Sequence, residues 1–153
     1  MRFSKIRLVE SFRASFERQK EYASELRAAA GKFSCFPNNC CDFSSLLICN
    51  YLVRKNIFNY PKIIVGQMRE DPAVRHEWVR ALGLTIDVTA DQFDRGPRIV
   101  CKRHSRWHLY QFSVLETRNF NPDFLNDFHE YEADDLLLYY REFELKVDQL
   151  QVT

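Results

Sequence analysis

The stretch His76-Glu77-Trp78-Val79-Arg80-Ala81-Leu82-Gly83-Leu84-Thr85-Ile86-Asp87-Val88-Thr89 decides how this chain folds. Successive residues of a strand point to opposite faces. A two-residue loop at Leu82-Gly83 sets Ala81 opposite Leu84, Val79 opposite Ile86, Trp78 opposite Asp87 and His76 opposite Thr89. One face then carries Val79, Ala81, Leu84, Ile86 and Val88, an apolar set suited to a core. The other carries His76, Trp78, Arg80, Thr85, Asp87 and Thr89. The pattern predicts a hairpin over 74–81 and 84–89. His76 and Asp87 become diagonal neighbours, ~7–8 Å apart at the backbone. A carboxylate so placed reaches one imidazole nitrogen and leaves the other free.

Working outward, Ile63, Ile64 and Val65 predict a strand over 61–68, and further strands are expected over 98–102 and 107–115. Upstream, Ser4 precedes Ile6, Leu8, Val9, Phe12, Phe16, Tyr22 and Leu26 at helical spacing, which predicts one long helix over 4–30 with Gly31 as its C-cap. A second helix is expected over about 40–55, with Phe43, Leu46, Leu47, Tyr51 and Leu52 as its buried stripe and Asn38 or Asn39 as cap. Asn121-Pro122-Asp123 signals a helical tail running to about residue 150, with a break near Ala133. Helix, helix, antiparallel strands, helix is an α+β order, not alternating βαβ units.

The chain has 153 residues, 46% of them hydrophobic and 28% charged, which predicts a single domain over 1–153. Its net charge of +1 gives no reason to expect nucleic acid or an anionic membrane as partner. Four glycines, none in a phosphate-cradling pattern, argue against Rossmann and P-loop enzymes, and no cofactor is expected. The five cysteines, Cys35, Cys40, Cys41, Cys49 and Cys101, make a poor disulfide framework. No signal-peptide run follows the basic residues of 1–7, and no segment has membrane-helix length. The expectation is a reduced, cytoplasmic protein with free thiols, and a domain delivered to another cell would read the same.

Cys40 falls at the mouth of the second helix. Unpaired N–H groups and the positive dipole end favour a thiolate there, and the same groups can hold an oxyanion. Joined to His76 as base and Asp87 as its orienter, Cys40 completes a Cys-His-Asp triad. Asp91 is the reserve third member.

Phe36-Pro37-Asn38-Asn39-Cys40-Cys41-Asp42-Phe43-Ser44-Ser45-Leu46-Leu47, His76-Glu77-Trp78-Val79 and Ile86-Asp87-Val88-Thr89-Ala90-Asp91-Gln92-Phe93, in this order, resemble a group of papain-like, transglutaminase-like bacterial proteins. The resemblance implies a papain-like core over 36–116, with an added N-terminal helix (1–32) and an added C-terminal helical segment (120–153). It implies Cys40 as nucleophile, His76 as general base and acid, and Asp87 as orienter. Cys41 stands where the pattern has Gly, and Glu77 where it has Ala. Papain-like proteases place a Gln shortly before the Cys to complete the oxyanion hole. This chain has none there, which leaves Asn38, Asn39 and Gln67 as oxyanion candidates and Trp78 as a substrate-contact candidate. The implied activity is amide hydrolysis or acyl transfer, of peptidase or glutamine-deamidase type, on a protein or peptide substrate. Small bacterial domains of this look are often effectors or toxins. The rival expectation is an inactive papain-like fold that binds proteins.

Two further clusters are read as structural. Cys101, His104 and His108 have a metal-like spacing, but three local ligands fall short of the four-ligand norm, so no metal is expected. Phe120, Phe124, Phe128, Tyr131, Tyr139, Tyr140 and Phe143 are expected in the core or at a protein-partner seam.

Overall fold

The structure is a computed structural model that describes residues 4–153; residues 1–3 of the basic N-terminal stretch lie outside it. The fold is α+β. Helices α1 (Lys5–Arg18), α2 (Lys20–Ala23), α3 (Ala28–Gly31) and α4 (Cys41–Arg54) precede strands β1 (Lys62–Met68), β2 (Arg75–Ala81), β3 (Leu84–Asp87) and β4 (Val100–Lys102). Helix α5 (Arg106–Gln111), strand β5 (Phe112–Asn119) and the long helix α6 (Glu130–Val152) complete it. The five strands form one antiparallel sheet in the order β4-β3-β2-β1-β5.

The hairpin pairs as its alternation predicts, with Ala81 opposite Leu84, Arg80 opposite Thr85 and Val79 opposite Ile86. Leu82 and Gly83 both take left-handed backbone angles, φ 58° and 72°. Two successive residues of that kind twist a two-residue loop in the sense the strands need. One sheet face, with Ile63, Val79, Ala81 and Ile86, joins the main core with α1, α4 and α6. The opposite face buries a smaller group, Ile64, Trp78 and Phe112, with Phe93 and Trp107 against it.

The aromatic residues explain much of the helical packing. Phe16 stacks on Phe143 at 4.4 Å and on Phe33 at 5.2 Å, while Phe33 stacks on Tyr139 at 4.3 Å. Of the C-terminal aromatic set, Phe120, Phe124, Tyr139, Tyr140 and Phe143 are buried in this chain's own core, and Tyr131 is exposed.

Four expected elements differ. The single helix over 4–30 is three pieces. Gln19 turns inward to donate to Tyr139 O at 3.2 Å. Asp135 on α6 takes the Arg27 N–H at 2.8 Å and its guanidinium at 2.9 and 3.1 Å, which holds Arg27 extended and stops helical continuation. Gly31 runs straight into a 3-10 turn rather than capping in a left-handed conformation. Neither Asn38 nor Asn39 caps α4: the N-cap residue is Cys40, and Asn39 has φ 58°. The strand expected over 107–115 begins only at Phe112; residues 106–111 are helical because Ser105 caps them, accepting from His108 N–H at 3.4 Å. Asn121 closes a local turn by accepting from Asp123 N–H at 3.0 Å, and the long helix starts only at Glu130, so the break lies before Ala133. Among the described residues no helix is long and apolar enough to cross a membrane.

Candidate active site

Asp87 ends β3 and His76 lies near the start of β2, on the same sheet face. His76 Nε2 donates to Asp87 Oδ2 at 2.6 Å, and both side chains are buried. The other carboxylate oxygen, Oδ1, accepts from Thr89 N–H at 2.8 Å and from Thr89 Oγ1 at 3.1 Å. A second imidazole completes the set. His108 Nε2 donates to the same Oδ2 at 2.7 Å, and its Nδ1 accepts from Ser105 Oγ at 2.6 Å.

These partners fix the proton positions. An ionised carboxylate only accepts, so both histidines carry hydrogen on Nε2. Burial opposes ionisation of Asp87, yet the His76 charge and the hydrogen bonds from His108 and His76 hold its carboxyl well below the ordinary range. Burial likewise opposes protonation of His76, but the Asp87 carboxylate outweighs it and raises the ring above its usual value. With Nε2 committed to Asp87, Nδ1 is the ring nitrogen left for a second partner. Gln92 Nε2 lies 3.4 Å from that atom and donates to Thr89 O at 3.0 Å.

The cysteine beside that ring is Cys41. It is half-buried, lies in the first turn of α4, and lines a cleft of ≈ 540 Å³ with His76, Gln92, Asn39, Asp42 and Arg75. Its hydrogen bonding and charge also raise the proton affinity of His76. Cys40, the expected nucleophile, is 0% exposed and packs in the main core. Burial pushes its thiol pKa up, away from thiolate chemistry. The correction follows from helix geometry: adjacent positions differ by about 100° around the axis. Cys40 at the N-cap turns inward and Cys41 outward.

The other expected groups separate. Asn39 lines the cleft, whereas Asn38 is not among its lining residues. Gln67 donates to Pro72 O at 2.8 Å in the turn after β1. Trp78 packs against His108 at 4.5 Å and lines a different cavity, of ≈ 210 Å³, behind the hairpin. Asp91, the reserve third member, is taken by Arg13 of α1 through two bonds of 2.6 and 2.8 Å. The backbone N–H groups of Cys41 and Asp42, in the first turn of α4, have no intrahelical acceptor.

Sequence reasoning preferred Cys40 to Cys41 as the reactive thiol, and missed Gln92 as a cleft residue and His108 as a partner of Asp87. For His108 a signal existed, since Ser105 three residues earlier is a helix cap that turns the ring inward. Cys101, His104 and His108 do not converge on a metal site. Among the described residues, the group compact enough to hold an ion is His76, Asp87 and His108, whose ligand atoms lie within 4.8 Å of one another. Its contacts of 2.6 and 2.7 Å are hydrogen bonds between two N–H groups and one oxygen. An ion there would displace both protons and require the donors to spread, so the group fits a proton network better than a metal.

Aromatic rings shield the His76–Asp87 pair. Phe93 meets His76 edge-on at 5.0 Å and Phe112 lies 5.4 Å away. A dry setting strengthens each charged contact. Comparison with protein-family profiles, with curated proteins and with solved structures found no match to this chain.

Proposed function

We propose that this chain is a cysteine-dependent amide hydrolase or acyl transferase with a papain-like core, in which Cys41 is the nucleophile, His76 the acid and base, and Asp87 the orienter. The observation that carries the reading is the cleft itself: a thiol in the first turn of a helix lines it together with a histidine whose Nε2 is held by a buried carboxylate.

In this reading the Cys41 proton passes to His76 Nδ1, and the thiolate attacks the carbonyl carbon of a bound amide. The tetrahedral oxyanion takes hydrogen bonds from the first-turn N–H groups of α4 and from the Gln92 amide. His76 returns the proton to the leaving nitrogen as the C–N bond breaks, which leaves a thioester on Cys41. Water then gives a proton to His76 and its oxygen to the acyl carbon, and the thiolate departs to take the proton back. An amine in place of water gives acyl transfer by the same steps. Glutamine side chains and peptide bonds both suit an open cleft of this size.

Thiol labelling tests the proposal. Cys35 is an internal reference, because it is exposed and lines the same cleft without a base of its own. With iodoacetamide at pH 6, Cys41 should react at least ~10-fold faster than Cys35, since an ordinary thiol is then almost wholly protonated. His76→Ala should abolish that lead. Ammonia release from a glutamine peptide separates deamidation from peptide cleavage. Labelling of Cys41 no faster than Cys35 would overturn the proposal and favour a protein-binding role for the fold.

A further inference from the structure

Asp87 Oδ2 accepts from two imidazoles at nearly equal distance, 2.6 Å from His76 and 2.7 Å from His108. The proposed chemistry uses only the first. His108 is buried; the Asp87 carboxylate, which only accepts, sets hydrogen on its Nε2, and Ser105 Oγ holds the ring by donating to its Nδ1. No solvent contact or chain connectivity requires that a second N–H be aimed at this oxygen. An apolar ring of equal size would fill the volume at less desolvation cost. The arrangement therefore has a role in the carboxylate's own behaviour.

We propose that His108, held by Ser105, is a positioning residue that shares Asp87 Oδ2 with His76, pins the carboxylate in place, and loosens its hold on the His76 proton. The inference deepens the function proposed above and rests on it for its meaning. A carboxylate oxygen that accepts a second hydrogen bond is a weaker base toward the first donor. An acid that must release its proton to a leaving nitrogen works best when it is not bound too tightly. With Thr89 on Oδ1 and His108 on Oδ2, Asp87 orients His76 while its charge is divided among other donors. The other ionisable groups near the pair are Cys41 on α4 and Glu77 beside His76 on β2. Lys32, Asp42 and Arg75 line the cleft, and Arg80, Arg103 and His104 line the cavity behind His108.

The test is the titration midpoint of the His76 ring, followed by imidazole NMR. His108→Phe keeps the ring volume and removes the donor; the His76 midpoint should rise by ~1 pH unit. His108→Gln offers an N–H close to the position of Nε2 and should restore the native midpoint. Ser105→Ala keeps the His108 ring but removes the hydroxyl that holds it against Asp87, and should move the midpoint the same way by less. If His108→Phe fails to fold, the other two variants decide. A midpoint that is unchanged or lower in His108→Phe or Ser105→Ala overturns the proposal, as does His108→Gln failing to restore it. The same shifts are expected in a Cys41→Ala background. Failure of Cys41 as nucleophile is thus seen in the labelling experiment alone and leaves this measurement intact.

Discussion

Replacing Asp87 with Asn perturbs the pair at its centre, and the structure allows the outcome to be worked through. Four donors converge on the carboxylate: the two Nε2–H groups and the N–H and hydroxyl of Thr89. Asn offers one carbonyl and one NH2. If the carbonyl stays with Thr89, the NH2 faces both histidines, and each imidazole must move its proton to Nδ1. His108 tolerates this, because Ser105 Oγ can turn from donor to acceptor. His76 does not, because in the proposed reaction Nδ1 takes the Cys41 proton. Four charge-assisted bonds become neutral, a loss of ~1 kcal/mol each, offset by no longer burying a carboxylate. The net cost is about 1–3 kcal/mol, read by urea denaturation. Alkylation of Cys41 at pH 7 should fall ~30-fold, to the rate of a thiol only a few per cent ionised. The pH profile of stability should change too. In the native chain the depressed Asp87 adds stability above about pH 4, lost as pH falls toward its lowered value. The raised His76 adds stability below about pH 6.5, lost as pH rises through its elevated value. Both describe one ion pair and count once; in Asp87→Asn the acid-side slope should vanish and the His76 slope should reverse, because burial without the carboxylate opposes protonation of the ring. A folded Asp87→Asn protein that still alkylates Cys41 at the native rate would refute the tautomer argument.

Cys40→Ala should cost about 1–2 kcal/mol of stability by leaving a small core cavity, with Cys41 labelling unchanged. Cys41→Ala should cost under about 0.5 kcal/mol and remove the fast-labelling site, as peptide mapping would reveal. Arg13→Met strips Asp91 and Val88 O of a buried guanidinium and should destabilise by about 2–4 kcal/mol; a change below ~1 kcal/mol in urea would contradict it. Gly66→Ala would set a methyl 2.6 Å from the Trp78 ring and 3.0 Å from Phe112 Cβ. That overpacking should cost about 1–3 kcal/mol, with a lowered melting temperature as the readout.

The hairpin was legible in the sequence because period-2 alternation and a two-residue loop fix a register by themselves. His76 and Asp87 came with it. The side of α4 that faces the histidine was not legible, since choosing Cys41 over Cys40 depends on a rotation set by packing against β2. Nor was the division of residues 4–30 into separate helices, because what holds Arg27 extended is a carboxylate from α6, over a hundred residues away in sequence. Helical spacing carries no record of such a partner. His108 was hidden for a related reason: residues 107–115 read as one strand until Ser105 is recognised as a cap.

Arg13 carries a consequence for anyone trimming this protein. Its guanidinium lies under the loop that follows Asp87, touching Val88 O, Asp91 and Arg98 O. The opening helix, which falls outside the recognisable sequence pattern, is thus a keel beneath the corner that holds Asp87. Shortened versions built only from that pattern would leave the corner standing on an unballasted hull, and loss of reactivity in them would say nothing about the chemistry itself.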